Sequence, residues 1–180
     1  MTATNPFFEI SLLPYQAPHF DQINDSHYRP AFDEALRQKR ADIDAIVAQA
    51  AAPDFANTVL ALEKSGVMLS RVSSVFFAMT SANTNTYLQE LEEQFSTELA
   101  ALANDIWLND VLFARVESVW QDRAALDAES RRLVEETYQR FILAGARLNE
   151  TEKAELKALN TEAASLTSQF NQCLLAADKT

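Results

Sequence analysis

After Pro53 this 180-residue chain contains no proline, and along its whole length it has two glycines, Gly66 and Gly145. Sheets and their turns draw heavily on both residue types, so a chain this poor in them and dominated by Ala, Leu, Glu and Gln is expected to be all-α. The prolines crowd the start instead: Pro6, Pro14, Pro18 and Pro30 come before or at the first periodic segment. Proline fixes φ and lacks an N–H, so residues 1–27 read as an extended arm. The chain turns into a helix at Pro30, where a missing donor costs nothing. Residues 28–180 should form one helical domain of about six helices in antiparallel hairpins with a long C-terminal helix, and 48% hydrophobic residues suffice for its core.

The first helix should run from Tyr28 to about Ala50, with Phe32, Leu36, Ile43, Ile46, Val47 and Ala50 at helical spacing, and stop before Pro53. Asp54 is a candidate N-cap for a second helix through Ser81, carrying Val59, Leu62, Leu69, Val72, Phe76 and Met79. Gly66 inside it implies either a kink or a close backbone neighbour. The polar run from Ser81 to Thr86 separates it from a third helix with Leu88, Leu91, Phe95, Leu99, Leu102 and Ile106, expected to fold back on the second as a hairpin. Asp110 can cap a short helix bearing Leu112, Val116, Val119 and Trp120, and Asp127 the next, with Leu133, Val134, Phe141 and Leu148. Asn149 and Glu152 form a capping-box-like pair for the last helix. From Glu150 to Asp178 that helix would be about 43 Å long at 1.5 Å per residue. Leu156, Ala163, Phe170 and Ala177, with Leu159, Leu166 and Cys173, make a heptad-like seam that should pack on a long partner helix.

No stretch approaches the ~18 apolar residues of a membrane span, and the opening MTATNPFFEI has neither the basic nor the apolar region of a secretory signal. A single cysteine, Cys173, excludes an internal disulfide and suits a reducing compartment, so a cytoplasmic location is expected. The net charge of −11 repels nucleic acid and anionic membrane alike. Residues 84–136 hold most of the excess and are expected to present a solvated acidic face.

The constellations that carry chemistry are missing. A zinc hydrolase helix needs two histidines at i and i+4 beside a glutamate, and the chain's two histidines, His19 and His27, lie eight apart in the arm. Glu92 and Glu93, or Glu135 and Glu136, lack the Glu-x-x-His partners of a di-iron bundle and should face solvent. Cys173, on the apolar seam, should be a buried, inert thiol. Gly145, without glycine neighbours, suits close packing or a helix end instead of a phosphate loop. Of the aromatics Phe76, Phe77, Phe95, Trp107, Trp120, Tyr138 and Phe141, most should be core, leaving a minority to line a peptide groove. No catalytic or metal-binding residue is assigned, and substrate-binding positions are unknown.

The arm, with Asn5-Pro6-Phe7, Leu13-Pro14-Tyr15, Ala17-Pro18-His19-Phe20-Asp21 and His27-Tyr28-Arg29-Pro30-Ala31-Phe32-Asp33, resembles the start of zinc peptidases of the thimet oligopeptidase family, in its bacterial peptidyl-dipeptidase branch. The likeness continues through Phe55–Glu63, Ser74–Thr80, Phe141–Leu148 and Leu159–Asn171. It implies an N-terminal, non-catalytic helical region that walls one side of a peptide channel. The parent enzyme it implies holds one zinc ion and removes C-terminal dipeptides from short peptides. The catalytic region of the same polypeptide, with its zinc ligands, would then lie beyond Thr180, and this chain alone would be inactive. Apolar faces left uncovered should be buried by homodimerisation or by rearrangement of the terminal helix. Without the resemblance, the residues fit equally a free-standing acidic helical interaction module.

Overall fold

The computed structural model describes residues 5–177, the side chains of residues 175 and 176 excepted; the first four residues of the arm and the expected helix end at Asp178, with Lys179 and Thr180, lie outside the described residues. The arm contains three 3-10 turns, Pro6–Phe8, Pro14–Gln16 and Asp25–His27, joined by irregular chain. It is tied at its beginning, where Phe7 is buried 5.6 Å from the Tyr28 ring, its carbonyl accepts from Arg71 at 2.6 Å, and Asn5 Nδ2 donates to the His27 carbonyl at 2.8 Å.

Helix α1, Tyr28–Val47, has Pro30 in its first turn and ends three residues before the expected Ala50. The carbonyl of Gln49 beyond its end accepts from Arg115 Nη1 at 3.0 Å, and Arg115 Nη2 reaches Asn57 Oδ1 at the same distance. This buried guanidinium joins the loop after α1 to the next helix start. There Asp54 and Asn57 form a reciprocal capping box, so the expected cap is present.

The second helix expected from the sequence is split. A π-helical turn, Phe55–Leu60, leads into α2, Ala61–Lys64, and after Ser65 and Gly66 the chain restarts as α3, Val67–Ala82. Gly66 has φ +74°, so the expected kink is present, while its close neighbour is the Lys39 side chain, 2.5 Å from where a Cβ would sit, and not a backbone. Asn85 caps α4, Thr86–Trp107. Asn109, and not Asp110, caps α5, Asp110–Gln121, because its side chain is the one that accepts from the Leu112 amide, at 2.9 Å. Asp127 caps α6, Ala128–Leu143, as expected, and the Ser130 side chain, with the Ser130 and Glu129 amides, holds its carboxylate below the ordinary range. Leu148 falls outside α6. The helix closes on a Schellman motif in which Gly145, at φ +96°, donates to the Ile142 carbonyl and Ala146 to that of Phe141. The expected Asn149–Glu152 box then opens α7, Glu150–Ala177.

The core sits where α1, α3 and α4 meet. Phe32 and Phe95 stack at 3.7 Å with planes 7° apart, Phe76 leans on Phe95 at 4.7 Å, and Tyr28 meets Phe76 edge-on at 5.2 Å. A second aromatic group, Trp107, Phe113, Tyr138, Phe141 and Trp120, joins α4, α5 and α6. Although α3 and α4 touch, the main partner of α3 is α1 and that of α4 is α7.

Because Phe95 is fully enclosed and Phe170 of α7 is exposed, Phe95→Ala should cost about 3–5 kcal/mol of unfolding free energy and Phe170→Ala within about 0.5 kcal/mol. Urea unfolding of the two variants checks this, and equal losses would mean that α7 packs differently.

Candidate functional site

Two surfaces of this domain stand out, the outer side of α7 and a groove beside Lys39. At 100° per residue, Leu159, Ala163, Leu166, Phe170 and Leu174 lie on one face of the helix, while Asn160, Ala164, Ser168 and Gln172 lie on the other. It is the second face that meets α4. Asn160 Nδ2 donates to Asn104 Oδ1 at 2.7 Å, Ser165 Oγ and Gln169 Nε2 both donate to Glu93 Oε1, and Gln172 Nε2 donates to the Gln89 carbonyl at 3.0 Å. At its first turn Lys153, with 5% of its side chain exposed, pairs with Asp110 of α5.

Apart from Leu156, which is half-buried beside Gly145, the expected seam is therefore turned away from the domain. Leu159, Leu166, Phe170 and Leu174 are 61%, 57%, 67% and 54% exposed, and Cys173 beside them is exposed as well, contrary to the buried thiol expected. The physical reason is that α4 directs its apolar stripe into the core and meets α7 through the flank that carries Gln89, Glu93 and Asn104. Phe76 and Phe77 are packed into and against the core, as most of the aromatics were expected to be.

The other surface is a groove of about 480 Å³ between α1, α2, α4 and α6. Leu62, Leu99, Leu102, Ile106, Trp107 and Leu133 wall it, and Lys39 and Arg140 stand at its polar edges with Glu63 and Glu136. Lys39 Nζ donates to the hydroxyl and the carbonyl of Ser65, both neutral groups. Burial pushes its amine below the ordinary lysine range, the nearby Arg140 adds to this, and Asp42 and Glu63 oppose it. The Arg140 guanidinium lies over the Trp107 ring, 4.1 Å from its centroid. Glu136 is engaged by Arg132 at 2.8 Å. Sequence periodicity marked Trp107 only as core or groove aromatic; the signal it could not carry is that α1 and α6 bring their cations to the same hollow.

Neither histidine is placed for metal chemistry. His27 Nδ1 accepts from the Asn24 amide at 3.2 Å as part of a turn, and His19 is half-buried with its carbonyl accepting from Gln22 and Ile23. Among the described residues no three His, Cys, Asp or Glu side chains converge as a metal site would require. The donor groups among the described residues thus do not fit a zinc ion. The acidic segment is only partly a solvated face: Glu98, Glu93, Asp110, Glu117 and Glu135 bond Arg29, Ser165 and Gln169, Lys153, Arg147 and Arg123 respectively.

No family model matches the chain. It is 66% identical over 179 residues to the dipeptidyl carboxypeptidase of Salmonella typhimurium, which covers 98% of this chain and 26% of that protein. The dipeptidyl carboxypeptidase of Escherichia coli is likewise 66% identical, over 99% of this chain and 27% of its own length. Oligopeptidase A of Escherichia coli is 24% identical over 96% of this chain and 25% of its own length. The chain thus spans about a quarter of the length of the curated relatives it matches.

The exposed thiol predicts that Cys173 of the native chain reacts with a maleimide nearly as fast as in urea; protection of tenfold or more would place it under cover. Lys39 yields a pH prediction of definite sign. Its folded-state proton affinity is below that of the unfolded chain, so the unfolded state binds more protons between the lowered value and the ordinary 10.5, and the Lys39 contribution to stability rises with pH across that window. Urea unfolding at a series of alkaline pH values should show wild type gaining on Lys39→Met, and a constant difference would contradict it.

Proposed function

We propose that this chain, which belongs to the thimet oligopeptidase family over almost its whole length, is the N-terminal, non-catalytic helical region of a zinc peptidyl-dipeptidase. The longer protein would remove C-terminal dipeptides from oligopeptides, and this region would form one wall of the channel that holds them. The zinc and its ligands would belong to the rest of the polypeptide, since the donor set here does not fit the ion. When bound there, the metal supplies activation of the attacking water. The role of the present helices is to shape the channel, exclude water and position peptide. A cytoplasmic location fits an exposed lone cysteine.

The observation that carries this reading is the apolar face of α7. Exposed contiguous apolar surface of this kind marks a place where something else packs. In a chain that spans a quarter of its relatives, the remaining three quarters of the polypeptide are the natural cover. A free-standing interaction module would leave the same face to a separate partner.

Two measurements decide between them. The longer polypeptide should release dipeptides from blocked tripeptides in a zinc-dependent way, whereas the 180-residue chain should not. Leu166→Glu combined with Phe170→Glu should destabilise the longer protein by about 2 kcal/mol or more while leaving the short chain nearly unchanged. If the short chain instead sediments as a stable dimer that Leu166→Glu dissolves, and the longer protein is indifferent to the pair, the face serves self-association and the wall reading fails.

A further inference from the structure

The N-terminal arm carries the most exposed large apolar side chains among the described residues, and it carries them on a closed, ordered loop. Tyr15 and Leu12 are 104% and 97% exposed, and Phe8, Ile10 and Phe20 of the same loop are exposed as well. From Ile10 to Pro18 there is no charged residue, in a chain with 26 acidic and 15 basic ones. The loop is closed at its base, where Asn5 donates to the His27 carbonyl at 2.8 Å. It is fastened on both sides, by Arg71 to the Phe7 carbonyl and by Asn85 Nδ2 to Asp25 Oδ2 at 2.7 Å. Its tip is shaped from within: the Leu13 amide donates to Ser11 Oγ at 3.2 Å, and the amides of Gln16 and Ala17 donate to the carbonyls of Leu13 and Pro14. Tyr15 and Gln16 have φ of +59° and +56°, the left-handed region in which a residue with a Cβ is strained. The Tyr15 side chain, standing wholly in solvent, gains no burial in this domain to offset that strain.

We propose that the tip from Leu12 to Tyr15 is a docking knob that inserts into an apolar, uncharged hollow on the remainder of the longer polypeptide, fastening this domain at a point separate from the outer face of α7. The identity of the partner rests on the reading of this chain as one region of a longer peptidase; the chemistry of the surface that receives the knob rests on the arm alone. Two observations favour the same polypeptide over other occupants. The likeness to the Salmonella typhimurium relative covers 98% of this chain, arm included, but 26% of that protein, so most of the polypeptide able to cover the knob lies outside this chain. Gln172 of α7 donates to the Gln89 carbonyl, one helical turn from the Asn85 that holds the arm through Asp25. The end of α7 and the base of the arm thus share the first turns of α4, and a polypeptide continuing from α7 leaves the domain beside the loop's base. A second copy of this chain, at the same net charge of −11, is repelled, and the uncharged knob has no ion pair with which to offset that.

The test is hydrogen exchange over residues 8–20, followed by mass spectrometry in the 180-residue chain and in the longer polypeptide. Exchange at the tip should be slower by about tenfold or more in the longer polypeptide. Leu12→Ser and Tyr15→Ser should each abolish that slowing, whereas Tyr15→Phe should keep it. Both side chains are exposed in the domain, so the replacements should leave the exchange of α1 and α3 in the short chain unchanged. Equal exchange in the two proteins, or slowing that survives Leu12→Ser and Tyr15→Ser combined, would overturn the proposal. Slowing in the short chain that grows with its concentration would overturn it in favour of a second copy. Slowing in the longer protein that appears only when N-acetyl-Ala-Ala-Ala is added would overturn it in favour of a bound peptide. Zinc-dependent turnover reports on the peptidase reading by itself: turnover lost with the slowing intact sinks that reading alone, and slowing absent with turnover intact sinks the docking alone.

Discussion

The stack of Phe95 on Phe32 is the contact around which the rest of the domain is arranged. It commits the apolar stripe of α4, with Leu88, Leu91, Leu102 and Ile106, to the side shared with α1 and α3. A helix of this kind has one wide apolar face to give. Once that face is buried in the core, whatever packs on the opposite side of α4 meets Gln89, Glu93 and Asn104. Helix α7 answers with Asn160, Ser165, Gln169 and Gln172, and its own apolar residues are left on the outside. The orientation of α7 is thus settled by a contact between two other helices.

Charge is used in the same economical way. The acidic excess of α4, α5 and α6 reads in the sequence as a solvated face, yet Glu98, Asp110, Glu117 and Glu135 each hold a basic side chain from elsewhere. Exposed pairs of this type contribute little, about 0–1 kcal/mol each. Lys153 with Asp110 is different, because its ammonium is almost wholly enclosed and without Asp110 would keep only Glu150, at 3.7 Å. Together these ties fix which helix lies beside which, while the aromatic contacts supply the adhesion.

Local rules were legible wherever a residue acts on its own neighbours. Asp54, Asp127 and the Asn149–Glu152 pair cap the helices they were expected to cap, since a cap needs only the next three amides. Asn109 and Asp110 are adjacent and equally competent, and the choice fell to the register of α5, which the α4–α5 turn sets. Gly66 marks a kink, as its place in the pattern suggests, but that a side chain and not a backbone lies against it depends on Lys39, 27 positions away. The seam of α7 is an apolar stripe, as expected, but α4 meets the polar face beside it, because periodicity shows that a face is apolar without showing what covers it. The groove was invisible for the same reason: Lys39, Trp107 and Arg140 belong to three helices whose meeting is a tertiary fact.

Helix α7 is held on its inner side by hydrogen bonds, which are directional and worth about 0.5–1.5 kcal/mol each against water. Such contacts define register well and adhere weakly. Its outer side holds the larger reserve, since full burial of one Leu or Phe is worth about 1.5–3 kcal/mol and four of them stand open. On the function proposed above, a helix with this division is positioned by one neighbour and secured by another. The polar face, by fixing the rotation of α7 through Asn104 and Glu93, presents the apolar face as a defined surface, and this is what distinguishes a contact surface prepared in advance from a helix that is merely unfinished.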